Sequence, residues 1–325
     1  MKLARREFLR FSAGAVALSL SARLARAQTY PTGPVRIVVG FPAGGAVDIA
    51  ARVISPWLSE KLGQPVIVEN HPGESGNLAT RAVVNAPPDG STLLLCGVVN
   101  TINTTLFQSL DFNFTRDIAP VAGISRVPLV VEVHPSVAAR TVPEFLALAK
   151  ANPGQLKVAY AGRGTPQHLG IELFKMMAGV DLMLVPYLGS APALADLLNG
   201  QVQAMFDPIP SSIAHIRSGK LIPLAVTSPA RSEALPNVPT MNDFVPGYEA
   251  GSWYGIGAPR DTPDSVIARI NTEVNAGLGD PKIKARLAEL GATAIPGTSA
   301  EFGRFIASET ERFMRVIRAA KITPE

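Results

Sequence analysis

The stretch that most constrains this chain runs from Val35 to Asp48. Val35-Arg36-Ile37-Val38-Val39 is an apolar, β-branched run, and it ends in Gly40-Phe41-Pro42-Ala43-Gly44-Gly45. An amphipathic pattern follows at once: Ile49, Val53, Ile54, Trp57, Leu58 and Leu62 recur at spacings that place them on one helix face. A buried strand, a tight turn and a helix are therefore predicted, with the helix N-terminus opening at the carboxyl end of the strand. Such a turn offers unpaired backbone N–H groups and the positive end of the helix dipole to whatever lies in front of it. Gly44 and Gly45 carry no Cβ to keep a ligand off that backbone. A plain strand-to-helix connection reads the same way, so this turn gains weight only from others like it.

Two others follow. Pro65 to Glu69 reads as a strand, and His71-Pro72-Gly73-Glu74-Ser75-Gly76-Asn77 leads from it into a helix from Leu78 to Asn85. After strands at Thr92 to Gly97 and Leu129 to Val133, Thr141-Val142-Pro143-Glu144 has capping-box spacing and starts a helix through Lys150. Leu156 to Tyr160 resumes strand. The third turn is Ala161-Gly162-Arg163-Gly164-Thr165-Pro166, and its helix carries Leu169, Leu173, Phe174 and Met177 on one face. Strands at 182–186, 202–206 and 221–227 alternate with helices at 191–198 and 211–217. Arg231 to Tyr248, rich in Pro, Asn and Gly, reads as a surface connection back to a first domain. A strand from Ser252 to Pro259 follows, then two helices, the last opening with the capping box Thr298 to Glu301. Such alternation implies an α/β fold of mostly parallel sheets covered by helices. A length of 325 residues implies two domains.

The N-terminus reads as a targeting segment. Arg5-Arg6-Glu7-Phe8-Leu9-Arg10 is basic, Phe11 to Leu20 is apolar, and Ala25-Arg26-Ala27 fits the small-x-small cleavage rule, leaving Gln28 first. The arginine pair fits a twin-arginine export signal, and an ordinary secretory signal fits as well. Both predict that the protein leaves the cytoplasm. With the six basic residues and one acid of residues 1–27 set aside, 24 Lys and Arg face 25 Asp and Glu, so nothing in the overall charge calls for nucleic acid. Cys96 is the only cysteine; it lies in an apolar strand and reads as a core thiol rather than a nucleophile.

Catalytic constellations are missing. His71, His134, His168 and His215 are scattered without metal-ligand spacing, and no H-E-x-x-H, G-x-S-x-G, Walker A or complete G-x-G-x-x-G pattern occurs. His168 is either a general base or a group satisfied by local hydrogen bonds. Asp48 could be catalytic, could bind a cation, or could cap its helix. Asp207, at the end of a strand, is a pocket wall or a turn residue. What remains is three strand-ending turns, Phe41 to Asp48, His71 to Asn77 and Gly162 to Thr165. Open α/β sheets bind ligands at the carboxyl ends of their strands. Backbone donors from several turns meeting on one carboxylate would make a binder with no cofactor and no metal.

These residues resemble the extracytoplasmic solute receptors of tripartite tricarboxylate transporters, the Bug family. The resemblance rests on Val38 to Gly45 with Asp48 and Ala51-Arg52, on Glu69 to Gly73 with Gly76-Asn77, and on Gly162-x-Gly164-Thr165-Pro166-Gln167-His168-Leu169. It continues in Val185-Pro186-Tyr187 with Gly189, Asp196 to Gly200, Leu224 to Ser228 and Leu235 to Thr240. It implies a two-domain, periplasmic-binding-protein-like flytrap that closes in the periplasm over a small carboxylated molecule and delivers it, as a monomer, to membrane transporter subunits. The expected lobes are 28–127 plus 253–325, and 128–252, behind a signal peptide at 1–27. Family roles carry onto Phe41, Pro42, Ala43, Gly44, Gly45 and Asp48 of one lobe, and onto Gly162, Gly164, Thr165, His168 and Asp207 of the other. The chain departs at Arg163 and Leu188. Arg163 could hold a second carboxylate of a diacid, or point into solvent. A receptor feeding a sensor and an exported α/β enzyme are the alternative functions.

Overall fold

Strand β1 (Val35–Val39) pairs in parallel with β2 (Val66–Asn70) on one side and β3 (Thr92–Gly97) on the other. The computed structural model describes residues 30–107, 109–319 and 322, so the expected signal peptide and its cleavage before Gln28 lie outside the described residues. β3 runs antiparallel to β9 (Gly251–Pro259), and β9 antiparallel to residues 118–128 of β4 (Ile118–Val133). The short β10 (Thr293–Ala294) closes this first sheet against β4.

β4 then leaves the first sheet for a second. Residues 129–133 pair antiparallel with β7 (Ala204–Pro208), and 130–133 pair likewise with β8 (Ile222–Val226). β7 continues in parallel to β5 (Lys157–Tyr160), and β5 to β6 (Met183–Pro186). Each sheet is thus mostly parallel in sense, as expected. In the first, β9 and β10 oppose the rest; in the second, β4 does. The sequence showed only the last third of β4 as strand. Pro120, Gly123 and Pro128 read as breakers, and the strand accommodates the first two at register shifts against β9.

Helices cover both sheets. Around the first lie α1 (Ala46–Leu62), α2 (Asn77–Val84), α3 (Val98–Leu106), the short α4 (Phe114–Asp117), α9 (Asp264–Gly279), α10 (Pro281–Glu289) and α11 (Ser299–Ala319). Around the second lie α5 (Val142–Ala151), α6 (Pro166–Ala178), α7 (Ser190–Leu198) and α8 (Ile209–Arg217). α1 buries Ile54, Leu58 and Leu62 against the first sheet and stops at Gly63, whose φ of 69° suits glycine. Both expected capping boxes form, at Thr141 with Glu144 and at Thr298 with Glu301.

One further stretch differs from expectation. Residues 231–248 are no bare surface connection: Leu235, Val238, Met241, Val245 and Tyr248 are buried, and the Tyr248 hydroxyl donates to the Gly170 carbonyl at 2.9 Å. The segment is packed into the second lobe. Trp253 is core, set edge-on to Phe302 and Phe305. Cys96 is buried as expected, and burial pushes its thiol up to about 12. No helix among the described residues is long and apolar enough to cross a membrane.

Candidate functional site

The first turn is held by Asp48. It sits in the opening turn of α1, almost fully buried, and accepts from the Gly44 N–H at 2.9 Å, from Arg52 Nε at 2.9 Å and from Asn70 Nδ2 at 3.0 Å. Asn70, the last residue of β2, also donates to the Phe41 carbonyl at 2.9 Å. One carboxylate and one amide therefore fix residues 41–44 to the strand beside them. Burial works to raise the Asp48 pKa, but the donors from Arg52, Gly44 and Asn70 outweigh it and the net shift is downward. Asp48 stays ionised and fully engaged by the protein. Its role is to shape the turn.

The third turn is held in the same way. Thr165 caps α6, accepting from the His168 N–H at 3.4 Å and donating its own proton to the Gly162 carbonyl at 2.7 Å. The Gly164 N–H points at His168 Nδ1, 3.4 Å away, and the imidazole stacks on Tyr160 with centroids 5.0 Å apart. Burial, then the positive charges of Arg163 and Lys175, lower the His168 pKa to about 4. A neutral imidazole accepting a backbone N–H and stacked on a tyrosine is satisfied locally. This favours the structural alternative over the general base.

Between these turns lies a cleft of about 610 Å³, including its open mouth. Its walls are built from helix starts. Gly45, Ala46 and Val47 come from α1, Gly76 from the residue before α2, and Gly97, Val98, Val99 and Asn100 from α3. Thr165, Pro166 and Gln167 come from α6, Ser190 from α7, and Pro208 from the residue before α8. The N-termini of six helices, three around each sheet, thus border one cavity. The leading N–H groups of a helix have no intrahelical acceptor, and the dipole favours negative charge there. The remaining lining is Gly40, Phe41, Leu94, Leu95, Ala161, Ser252 and Tyr254, and among the described residues none of the lining carries a charge. An anion here would meet main-chain donors, hydroxyls and apolar walls.

Of the twelve residues singled out from the sequence, Phe41, Gly45 and Thr165 line this cleft. Asp48 and His168 stand behind it and hold its turns. Gly44, Gly162 and Gly164 lie where the lobes meet. A Cβ on Gly44 would come to 4.0 Å from Ala191, one on Gly162 to 3.4 Å from Ser75 Oγ, and one on Gly164 to 2.9 Å from Asn103 Oδ1. Pro42 abuts Gly189 of the opposite lobe, and Ala43 is exposed on the same turn. Arg163 is partly buried and does not line the cleft; its charge acts on His168.

Asp207, the last of the twelve, lies fully buried under the second-lobe wall. Ser190 donates to its Oδ1 at 2.5 Å, Gln167 Nε2 approaches the same oxygen at 3.5 Å, and Ser211 and Ser212 donate to Oδ2. Ser212 Oγ also lies 2.6 Å from Glu132 Oε1, so a second buried acid adjoins the first. Burial raises the Asp207 pKa to about 6, with the four donors offsetting part of that rise. Burial and the nearby Asp207 charge raise Glu132 well above the usual range.

A family model described as the tripartite tricarboxylate transporter family receptor matches residues 50–322. The chain belongs to this receptor family. BugT of Bordetella pertussis is 36% identical over 295 residues, covering 90% of each chain. Among solved structures, Rpa4515 of R. palustris with adipate is 36% identical with a TM-score of 0.89, over 91% of this chain and all of that one. MatC of Rhodopseudomonas palustris with bound malate is 31% identical with a TM-score of 0.84, over 89% of this chain and all of that one. The two-lobed α/β fold of the receptor is that of these periplasmic binding proteins.

Sequence reasoning missed part of the receptor's wall. The expected strand ends at Gly97, and the sequence carries no helix expectation for residues 98–106, where α3 lies. Val98, Val99, Thr101, Ile102 and Thr104 are β-branched and lower helix propensity, which disguised it. The available signal was Val98, Ile102 and Leu106 at four-residue spacing, preceded by a glycine; all three are buried. Gln167 and Ser190 carried no signal of their own.

Proposed function

We propose that this receptor is exported and closes its lobes, 28–127 with 253–325 and 128–252, over a small carboxylated solute that it passes to a tripartite tricarboxylate-type transporter. The observation that carries the reading is the meeting of six helix N-termini on one cleft that has no charged lining residue among the described residues. Main-chain donors with fixed dipoles stabilise a carboxylate without a counter-ion and are already oriented before it arrives. The engaged side chains of Asp48, His168 and Asp207 serve the walls and leave no evident nucleophile–base pair, which supports a receptor over an enzyme. In this reading Phe41, Gly45 and Thr165 touch the ligand, while Pro42, Ala43, Gly44, Gly162, Arg163 and Gly164 form the rim that closes. Adipate in Rpa4515 and malate in MatC support a carboxylate as the class.

A thermal-shift screen of the chain from Gln28 onward, over mono-, di- and tricarboxylates and uncharged solutes, tests this. A ligand at 100 times its Kd adds about 2.7 kcal/mol to stability, a rise of roughly 4 °C in Tm for a protein of this size. At least one carboxylate should give such a shift. Shifts from uncharged solutes only would overturn the reading. The mass of the periplasmic protein should match a start at Gln28; an intact cytoplasmic species beginning at Met1 would contradict export.

A further inference from the structure

The two sides of the cleft differ in what they offer a ligand. On the first lobe, α1 and α3 open with Ala46-Val47 and Val98-Val99, whose backbone N–H groups lead their helices. On the second lobe Thr165, Gln167 and Ser190, which line the cleft, have their side-chain protons committed to the protein. Thr165 gives its proton to the Gly162 carbonyl. Ser190 gives its proton to Asp207 at 2.5 Å and accepts from Gln167 Nε2 at 3.2 Å. Gln167 Nε2 is held between Ser190 and Asp207.

A hydroxyl has one proton and two lone pairs, and an amide has separate donor and acceptor ends. After these bonds are made, Ser190 retains a lone pair and Gln167 its Oε1, and neither side chain has a donor to spare. An ionised carboxylate accepts only, so Asp207 fixes both orientations. Prolines act in the same sense. Pro166, Pro192 and Pro210 fall within the first three positions of α6, α7 and α8 and remove an N–H from each, whereas the opening turns of α1 and α3 contain none.

Resting on the carboxylate reading above, we propose that the receptor selects carboxylates that also carry a hydrogen-bond donor, a hydroxyl or an ammonium group, facing Gln167 and Ser190, and that Asp207 imposes this choice as a positioning residue. A ligand lacking the donor leaves buried acceptors without a partner, and a second carboxylate there sets lone pairs against lone pairs. Sites built around a polar group reject the analogue that lacks it far more strongly than apolar pockets reject a missing methylene.

Two isosteric series at pH 7.5 provide the test by calorimetry: succinate, L-malate and L-aspartate, and phenylacetate, mandelate and phenylglycine. In whichever series binds, the hydroxyl or amino member should bind at least tenfold tighter than the parent, and the two arms tell which donor is taken. Equal or tighter binding of the parent overturns the inference while leaving the carboxylate reading intact. If no member of either series binds and no carboxylate stabilises the protein, it is the carboxylate reading that falls. Asp207→Asn should reduce the preference at least fivefold while carboxylate binding persists, because an amide at 207 can donate to Ser190 and turn its hydroxyl toward the cleft. A merely structural Asp207 would weaken all ligands alike, and that result counts against the proposal. Should Asp207→Asn not fold, Ser190→Ala removes the acceptor itself and must also shrink the ratio; an unchanged ratio in Ser190→Ala contradicts it.

Discussion

Pro42 of the first lobe faces Gly189 of the second so closely that a Cβ on Gly189 would lie 2.7 Å from Pro42 Cδ. Gly189 has an extended backbone, with φ at 168°, so any residue could adopt its conformation. What requires glycine there is the partner lobe.

Gly189→Ala therefore separates closure from folding. Overpacking of this kind costs about 1–3 kcal/mol, and it is incurred only when the lobes meet. Ligand affinity should drop roughly 5- to 150-fold by calorimetry, with the Tm of the unliganded protein little changed. Unaltered affinity would mean that the closed contact is not part of the bound state.

Asp48→Ala removes the acceptor for Gly44, Arg52 and Asn70 together. Hydrogen bonds to a charged group are worth about 1.5–3 kcal/mol each, and orphaned donors add to the loss, although water can reach the exposed Arg52. We expect a destabilisation of about 2–4 kcal/mol in urea at pH 7. Because the folded pKa of Asp48 is lowered, its contribution is complete above the ordinary carboxylate pKa and fades as pH falls through the folded value. The gap between wild type and variant should therefore narrow in acid. A constant gap down to pH 2 would exclude the ionised form as the source.

His168 gives a second pH signature. Its pKa falls from the ordinary 6.5 to about 4 on folding, so the neutral imidazole is the form that stabilises the fold. That contribution is complete above pH 6.5 and is lost as pH falls toward 4. His168→Asn keeps an acceptor for the Gly164 N–H and removes the titration. Between pH 6.5 and 4 the wild type should lose stability relative to the variant, as read from urea midpoints. Parallel pH profiles would show that the imidazole is not held neutral.

The sequence exposed the site wherever a strand end, a glycine turn and an amphipathic helix occurred together, as at Val35 to Leu62 and Leu156 to Met177. It hid the site where those signals separated. α3 has the turn but carries β-branched residues that suggest a strand. Gln167 and Ser190 are ordinary polar residues whose meaning comes only from the buried carboxylate of Asp207, a residue 17 positions from the nearer of them. The long strand β4, which joins the sheets, is masked by its prolines. Hydrophobic period and turn chemistry are local, whereas the pairing of a proline-bearing strand at register shifts is a tertiary matter.

In the proposed reading a carboxylate is held by main-chain donors at helix starts and not by a cation. A crystal structure of the receptor with its best carboxylate from the thermal-shift screen tests this most directly. Carboxylate oxygens are expected within about 3.2 Å of backbone N–H groups at the openings of α1, α3 or α6, with Pro42 packed against Gly189. A carboxylate paired with the Arg163 guanidinium, or lodged away from these helix starts, would contradict it.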